Sequence, residues 1–201
     1  MSKKKKNVII IIIVLVLTAL ITAAVIIGKS AIDRGVYEFK RATHPLLYSE
    51  YVEKYADEYG LDKNVIYAVI KTESGFDPNA VSNTGARGLM QIMETTFDWV
   101  KFRLGDDDIT YEEMFDPENN IRYGAYLWDY LTEYFGCTDT AAAAYFSGIG
   151  EVGKWVSDPA YSKDGVHLDT IPSKNAAHYV NKINDALDTY NELYGQERSN
   201  Q

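Results

Sequence analysis

The hydrophobic pattern divides the chain in two. Val8 to Ile27 is an apolar run broken only by Thr18 and Thr22, and it shows no polar face. At ~1.5 Å per residue such a run spans ~30 Å, the thickness of a bilayer core. Lys3 to Lys6 form a basic cluster ahead of it. The apolar region of a cleaved signal peptide is shorter, typically about 7–15 residues, and ends in small residues. Ala23-Ala24 offers such a site, but Val25-Ile26-Ile27 carries the run past it. Residues 8–28 therefore read as a single-pass transmembrane signal-anchor, with signal cleavage and secretion as the alternative. The basic segment 1–7 is expected in the cytoplasm and the rest of the chain outside it.

Beyond the run the apolar residues become periodic. Residues 29–44 read as a linker, 45–195 as a folded domain and 196–201 as a tail. Pro45 suits a first helical position, and Gly60 ends the helix that follows. Asp62 is a good N-cap for a helix carrying Val65, Ile66, Val69 and Ile70. Gly, Asn, Ser, Asp and Pro crowd residues 75–88, a long loop of the kind that often carries function. A short helix is expected from about Leu89, and another from Thr95 or Thr96 to about Arg103. Asp116-Pro117 opens the most regular helix, with Ile121, Gly124, Trp128, Leu131 and Phe135 as its stripe and Gly136 as its stop. Ala141 to Tyr145 reads as helical up to Ser147-Gly148, and Glu151 to Val156 as a further turn or two. A last helix is expected from about Lys174 to Tyr194. No alternating strand pair and no repeat is present, so the predicted class is all-α.

Composition and charge narrow the chemistry. Residues 1–30 hold five lysines and no acids, leaving 15 basic against 29 acidic residues beyond them, a net −14. That balance excludes a nucleic-acid partner, which needs a basic footprint. Cys137 is the only cysteine, so no internal disulfide can form. A Cys/His nucleophile would need His44, His167 or His178 beside it, and nothing local supports one. Asp106-Asp107-Asp108 lies in a polar loop and reads as solvated surface. It lacks the glycine and terminal glutamate of a calcium-binding loop. No metal and no cofactor are expected.

Glu73 stands out by position. It lies four residues beyond Val69, itself four beyond Val65, so it continues a core-facing stripe. It also ends its helix, where the dipole disfavours another negative charge. Burial and dipole both push its pKa upward, and a general acid near neutral pH needs that.

Residues 73–92 read Glu-Ser-Gly-Phe-Asp-Pro-Asn-Ala-Val-Ser-Asn-Thr-Gly-Ala-Arg-Gly-Leu-Met-Gln-Ile. Further on stand Asn120-Ile121-Arg122-Tyr123-Gly124, Ala143-Ala144-Tyr145, Gly148-Ile149-Gly150 with Trp155, and Ile171-Pro172 with Tyr179-Val180. In this order the motifs closely resemble the lytic transglycosylases of the soluble murein transglycosylase-like family, over roughly residues 46–195. The resemblance implies a lysozyme-like fold and a catalytic domain over 45–195. It implies Glu73 as the single catalytic acid/base and Tyr145 as the tyrosine that helps hold that carboxylate. Met90 and Gln91 would line the glycan groove, and Tyr179 belongs to the last motif. Ser74 matches the serine after the catalytic glutamate, and either substrate or backbone could be its partner. The implied substrate is peptidoglycan; the 16 tyrosines are compatible with a site that stacks sugar rings. Protein partners are not identified.

The implied reaction needs one carboxylate where glycosidases generally use two. Glu73 protonates the oxygen between MurNAc and GlcNAc. The MurNAc 6-hydroxyl then closes on its own anomeric carbon and returns a proton to Glu73, giving a 1,6-anhydro sugar. Two departures stand out. Phe146 occupies the place of an asparagine, and Asn175-Ala176 the place of Glu-Thr. Glu94, where a proline is common, is read as neutral. A muramidase of the same fold and a non-catalytic peptidoglycan-binding anchor are the rival readings.

Overall fold

The computed structural model describes residues 2–195, and two compact units divide between Pro45 and Leu46. Met1 and the tail at 196–201 lie outside the described residues. The first unit is a single helix, α1 (Lys3–Thr43), long and apolar enough to cross a membrane by length and composition. It does not stop where the apolar run stops: residues 29–43, expected as a linker, continue it. Pro45 ends α1 rather than opening the next helix. A residue before proline is driven out of the α region, and His44 sits at φ −127°, ψ 67°.

The second unit contains α2 (Ser49–Tyr59), α3 (Lys63–Glu73), α4 (Glu94–Leu104), a 3₁₀ turn (Tyr111–Phe115), α5 (Pro117–Phe135), α6 (Thr138–Ser147), α7 (Ile149–Ser157) and α8 (Lys174–Tyr194). Among the described residues there is no strand, only two isolated bridges, Val81 with Arg87 and Arg87 with Ile92. The all-α expectation holds. Boundaries follow local chemistry. The Asp62 side chain caps the Asn64 N–H, Asp116 caps Asn119 at the start of α5, and Ser173 caps Ala176 at the start of α8. Gly60, Gly105 and Gly136 end α2, α4 and α5 in the left-handed region, where glycine carries no steric cost.

α5 is the centre of the domain. It packs against α2, α4, α6 and the 3₁₀ turn, while α8 packs against α3 and α6. Its predicted stripe is buried throughout: Ile121, Trp128, Leu131 and Phe135 face the core. Asn120 at its first turn is also fully buried. Its amide donates to the Arg87 and Met114 carbonyls at 2.9 and 2.8 Å, and its oxygen accepts from the Met90 N–H at 2.7 Å. One side chain thus fixes three points of backbone around residues 87–90 and the 3₁₀ turn. Gly88, at φ +76°, touches this knot so closely that an added Cβ would fall 2.1 Å from the Met114 carbonyl oxygen.

Candidate active site

The site is built where the end of α3, the loop after it, α6 and α8 converge. Val69 and Ile70 are fully buried, and they draw the last turn of α3 into the core with Glu73 on it. Ser74 closes that turn. Its hydroxyl donates to the Leu89 carbonyl at 2.8 Å and accepts from the Phe76 N–H at 3.1 Å. Of the two partners left open for Ser74, the backbone is the one it meets, and the bond ties the helix end to the loop.

The loop turns back sharply instead of forming the short helix expected from Leu89. Arg87 and Ile92 exchange both backbone hydrogen bonds at 3.0 Å. Gln91 sits at φ 51°, a left-handed conformation that a helix cannot absorb. Its side-chain amide holds that turn, donating to the carbonyls of Gly88 at 2.9 Å and Ala80 at 3.1 Å. Met90 departs from its expected place on a groove wall: its side chain is fully buried. It packs on Gly124, where an added Cβ would meet its sulfur at 2.3 Å. Gly124 in the α5 stripe is therefore a socket for Met90.

Two tyrosines meet this frame, and their roles differ from the expectation. The Tyr145 hydroxyl donates to the Met90 carbonyl at 2.8 Å. The group that donates to Glu73 is Tyr179, from α8, with 2.6 Å between its hydroxyl and Oε1. Tyr145 stands close enough for the Glu73 charge to act on it, but its hydroxyl is spent on backbone. Burial, reinforced by that charge, holds both phenols well above their ordinary pKa, so both remain donors. The motifs contain both residues, and the resemblance assigns the carboxylate to Tyr145, whereas Tyr179 is the one that donates to it.

Glu73 itself is pushed from the ordinary 4.5 up to about 7. Loss of solvent is the largest cause. The Tyr179 hydrogen bond and the Lys182 ammonium pull the other way by favouring the charged form. No second carboxylate acts on it among the described residues. A carboxyl group titrating there can give a proton and take one back at neutral pH. Phe146, exposed on its outer side, lays its ring over Tyr179 with centroids 5.0 Å apart and planes 29° apart. Beside Tyr145 opens a cleft of ≈ 250 Å³ lined by Thr95, Thr96, Trp99, Leu131 and Ile149. Its aromatic and hydroxyl walls suit a polyhydroxylated ligand with apolar ring faces.

The family model for the transglycosylase SLT domain matches residues 50–167, more than half of the chain. The chain belongs to this family. Relatives include the membrane-bound lytic murein transglycosylase C of Mannheimia succiniciproducens, 33% identical over 167 residues, which cover 71% of this chain and 46% of that protein. The soluble lytic murein transglycosylase of Salmonella typhimurium is 28% identical, covering 90% of this chain and 27% of the relative. This chain thus spans less than half the length of either. Among solved structures, an inactive glutamate-to-glutamine mutant of the lytic transglycosylase Slt from Pseudomonas aeruginosa aligns at TM-score 0.65 and 28% identity, over 74% of this chain and 24% of that one. The 70 kDa soluble lytic transglycosylase of Escherichia coli aligns at TM-score 0.69 and 24% identity, over 83% and 28%. The second unit therefore has the lysozyme-like fold expected.

One acidic residue of this SLT domain departs from its sequence reading. Asp106 is not solvated surface: it pairs with the Arg122 guanidinium at 2.7 Å and accepts from the Tyr123 hydroxyl at 3.2 Å. Asp107 and Asp108 are exposed as expected. No cluster suited to a metal ion is found among the described residues. Of the two departures from the motif, Asn175 is exposed on the first turn of α8 and Ala176 is buried. Glu94 opens α4, where an acid favours the helix dipole.

Proposed function

We propose that this chain is a peptidoglycan lytic transglycosylase held at the membrane by α1, with Glu73 as its single acid and base. The observation that carries the reading is a lone carboxyl, pushed up to about 7 by burial and held by one phenol. Protonated, Glu73 delivers its proton to the oxygen bridging MurNAc and GlcNAc as the bond to the anomeric carbon breaks. Now charged, it is stabilised by the Tyr179 hydroxyl. It then accepts the proton of the MurNAc 6-hydroxyl as that oxygen bonds the same anomeric carbon. No water is consumed, and a second carboxylate is unnecessary because the nucleophile belongs to the substrate. The names of the relatives, lytic murein transglycosylases, support the substrate class.

The basic segment Lys3–Lys6 supports an orientation with the N-terminus in the cytoplasm and the SLT domain outside, facing the wall. Mass spectrometry of digested murein tests the chemistry. Fragments ending in 1,6-anhydro-MurNAc are expected. Fragments heavier by one water would establish a muramidase instead, and no cleavage at any pH would leave a glycan-binding anchor.

A further inference from the structure

The helix α1 carries a contact face that its own unit leaves uncovered. Thr18, Val25, Ile32 and Phe39 follow one another at steps of seven, as do Ile21, Gly28, Gly35 and Ala42. In a helix these two rows form a single seam. The character of the seam changes where the apolar run ends. Within the run it collects the only two hydroxyl residues, Thr18 and, on its flank, Thr22. Both hydroxyls turn back to bond their own helix at 2.9 Å, leaving a slim surface. Small and hydroxyl residues mark helix contacts in lipid, where large apolar ones mark nothing because lipid tails are equally apolar.

Past the run the same face turns to large apolar residues, which is the mark of a contact in water. Ile32 is 68% exposed, Phe39 69% and the flanking Val36 49%. Asp33, Arg34, Lys40 and Arg41 all fall off the seam. Lys29 flanks it at the end of the run, where its long stem carries the ammonium to the headgroups. The helix also runs unbroken through Gly28 and Gly35, with open space where each Cβ would stand. Glycine is among the poorest helix formers, and in the seam it lets a second backbone come close.

We infer that α1 pairs in parallel with the α1 of a second copy of this chain along this seam, from Thr18 inside the membrane to Phe39 outside it. Lipid cannot cover the outer part, because Phe39 stands ~18 Å along the helix beyond Ile27. The covering element must itself cross from lipid to water at the same height and carry both kinds of surface in the same register. A parallel copy does so by identity, and the seven-residue step suits a two-fold, left-handed pair. It keeps the off-seam charges of both helices pointed outward.

The inference rests on reading α1 as a membrane span, and its test separates the two. The full chain carrying Cys137→Ser receives single cysteines at Ile32, Phe39, Arg34 or Tyr37 and is oxidised in native membranes. Disulfide-linked dimers are expected as the major product at positions 32 and 39, and at least fivefold less at 34 and 37. Replacing Ile32 and Phe39 together by Glu is expected to weaken self-association in lipid vesicles at least tenfold, measured by energy transfer between labelled copies. The same change at Arg34 and Tyr37 should leave it within twofold, and thermal melting of the domain should be unchanged in both. Equal cross-linking at all four positions, a membrane-bound monomer, or a cross-linked product containing a different polypeptide would overturn the proposal alone. Recovery of the chain only in the soluble fraction would remove the membrane reading with it.

Discussion

At the end of α3 and in the loop after α4 the domain half-buries an acidic side chain, and the two are solvated by protein in opposite ways. Asp106 faces the Arg122 guanidinium through two contacts, at 2.7 and 3.2 Å, and accepts from the Tyr123 hydroxyl. Among the described residues, Glu73 faces no cation at contact distance and accepts one hydrogen bond, from Tyr179. Burial therefore dominates at Glu73 and lifts it to about 7, whereas Asp106 is paired with a cation. The first arrangement suits the proton exchange proposed for Glu73. The second yields a bolt between the α4–α5 loop and α5. Placement in a cleft or loop does not distinguish a reactive acid from a structural one; the partners do.

The largest expected effect comes from Glu73→Gln. Murein cleavage should fall by about 10³-fold or more, while the domain becomes more stable at alkaline pH. The sign follows from linkage. Between pH 4.5 and about 7 the folded state keeps a proton that the unfolded chain has released, so wild-type stability falls as pH rises through that window. The net cost of the charge in the folded state, after the Tyr179 and Lys182 contributions, amounts to about 3 kcal/mol. Denaturant unfolding should show the variant more stable by up to that amount at pH 8 and no different at pH 4.

Asp106→Asn should reverse the pattern. It strands the half-buried Arg122 guanidinium and costs about 1–2 kcal/mol of stability, with cleavage unaffected apart from the stability loss. A fall in cleavage rate of the size expected for Glu73→Gln would break the division of labour between the two acids.

Tyr179→Phe removes the donor that Glu73 meets. Without the donor that favours the charged form, Glu73 should titrate higher still, so the alkaline limb of the pH profile moves up. The rate should fall roughly tenfold because the carboxylate loses its one hydrogen bond. Tyr145→Phe leaves that limb in place, since its hydroxyl serves the Met90 carbonyl. The smallest effect belongs to Phe146→Asn. Opening the ring cover over Tyr179 admits water, so the limb should move down and a fraction of hydrolysed ends should join the anhydro product.

Much of this was legible in the sequence where local chemistry decides. Asp62, Gly60, Asp116-Pro117 and Gly136 set helix ends within a residue because caps and left-handed stops are written in single side chains. The misreadings arose where a residue obeys a distant partner or carries a constraint that fits two places. Pro45 carries one backbone constraint that can open a helix or end one, and here it ends α1. Leu89 to Ile92 has helical composition, yet the bonds from the Met90 N–H to Asn120 and from the Gln91 amide to Gly88 and Ala80 make it a turn. Asp106 looked solvated because Arg122 lies on another element. The placement of Tyr179, rather than Tyr145, as the donor to Glu73 is of the same kind. The motif resemblance brings Tyr145 to Glu73, but only the packing of α6 and α8 decides that the Tyr179 hydroxyl is the one that reaches it.

Burial, with one phenol and, among the described residues, no paired cation, holds Glu73 at a neutral-range pKa. Carbon-13 titration of the labelled Glu73 carboxyl in the full chain, assigned by its absence in Glu73→Gln, measures that directly. A midpoint at about 7 that coincides with the alkaline limb of the cleavage profile is the predicted result. A midpoint at the ordinary 4.5, or an activity profile indifferent to it, would contradict the account.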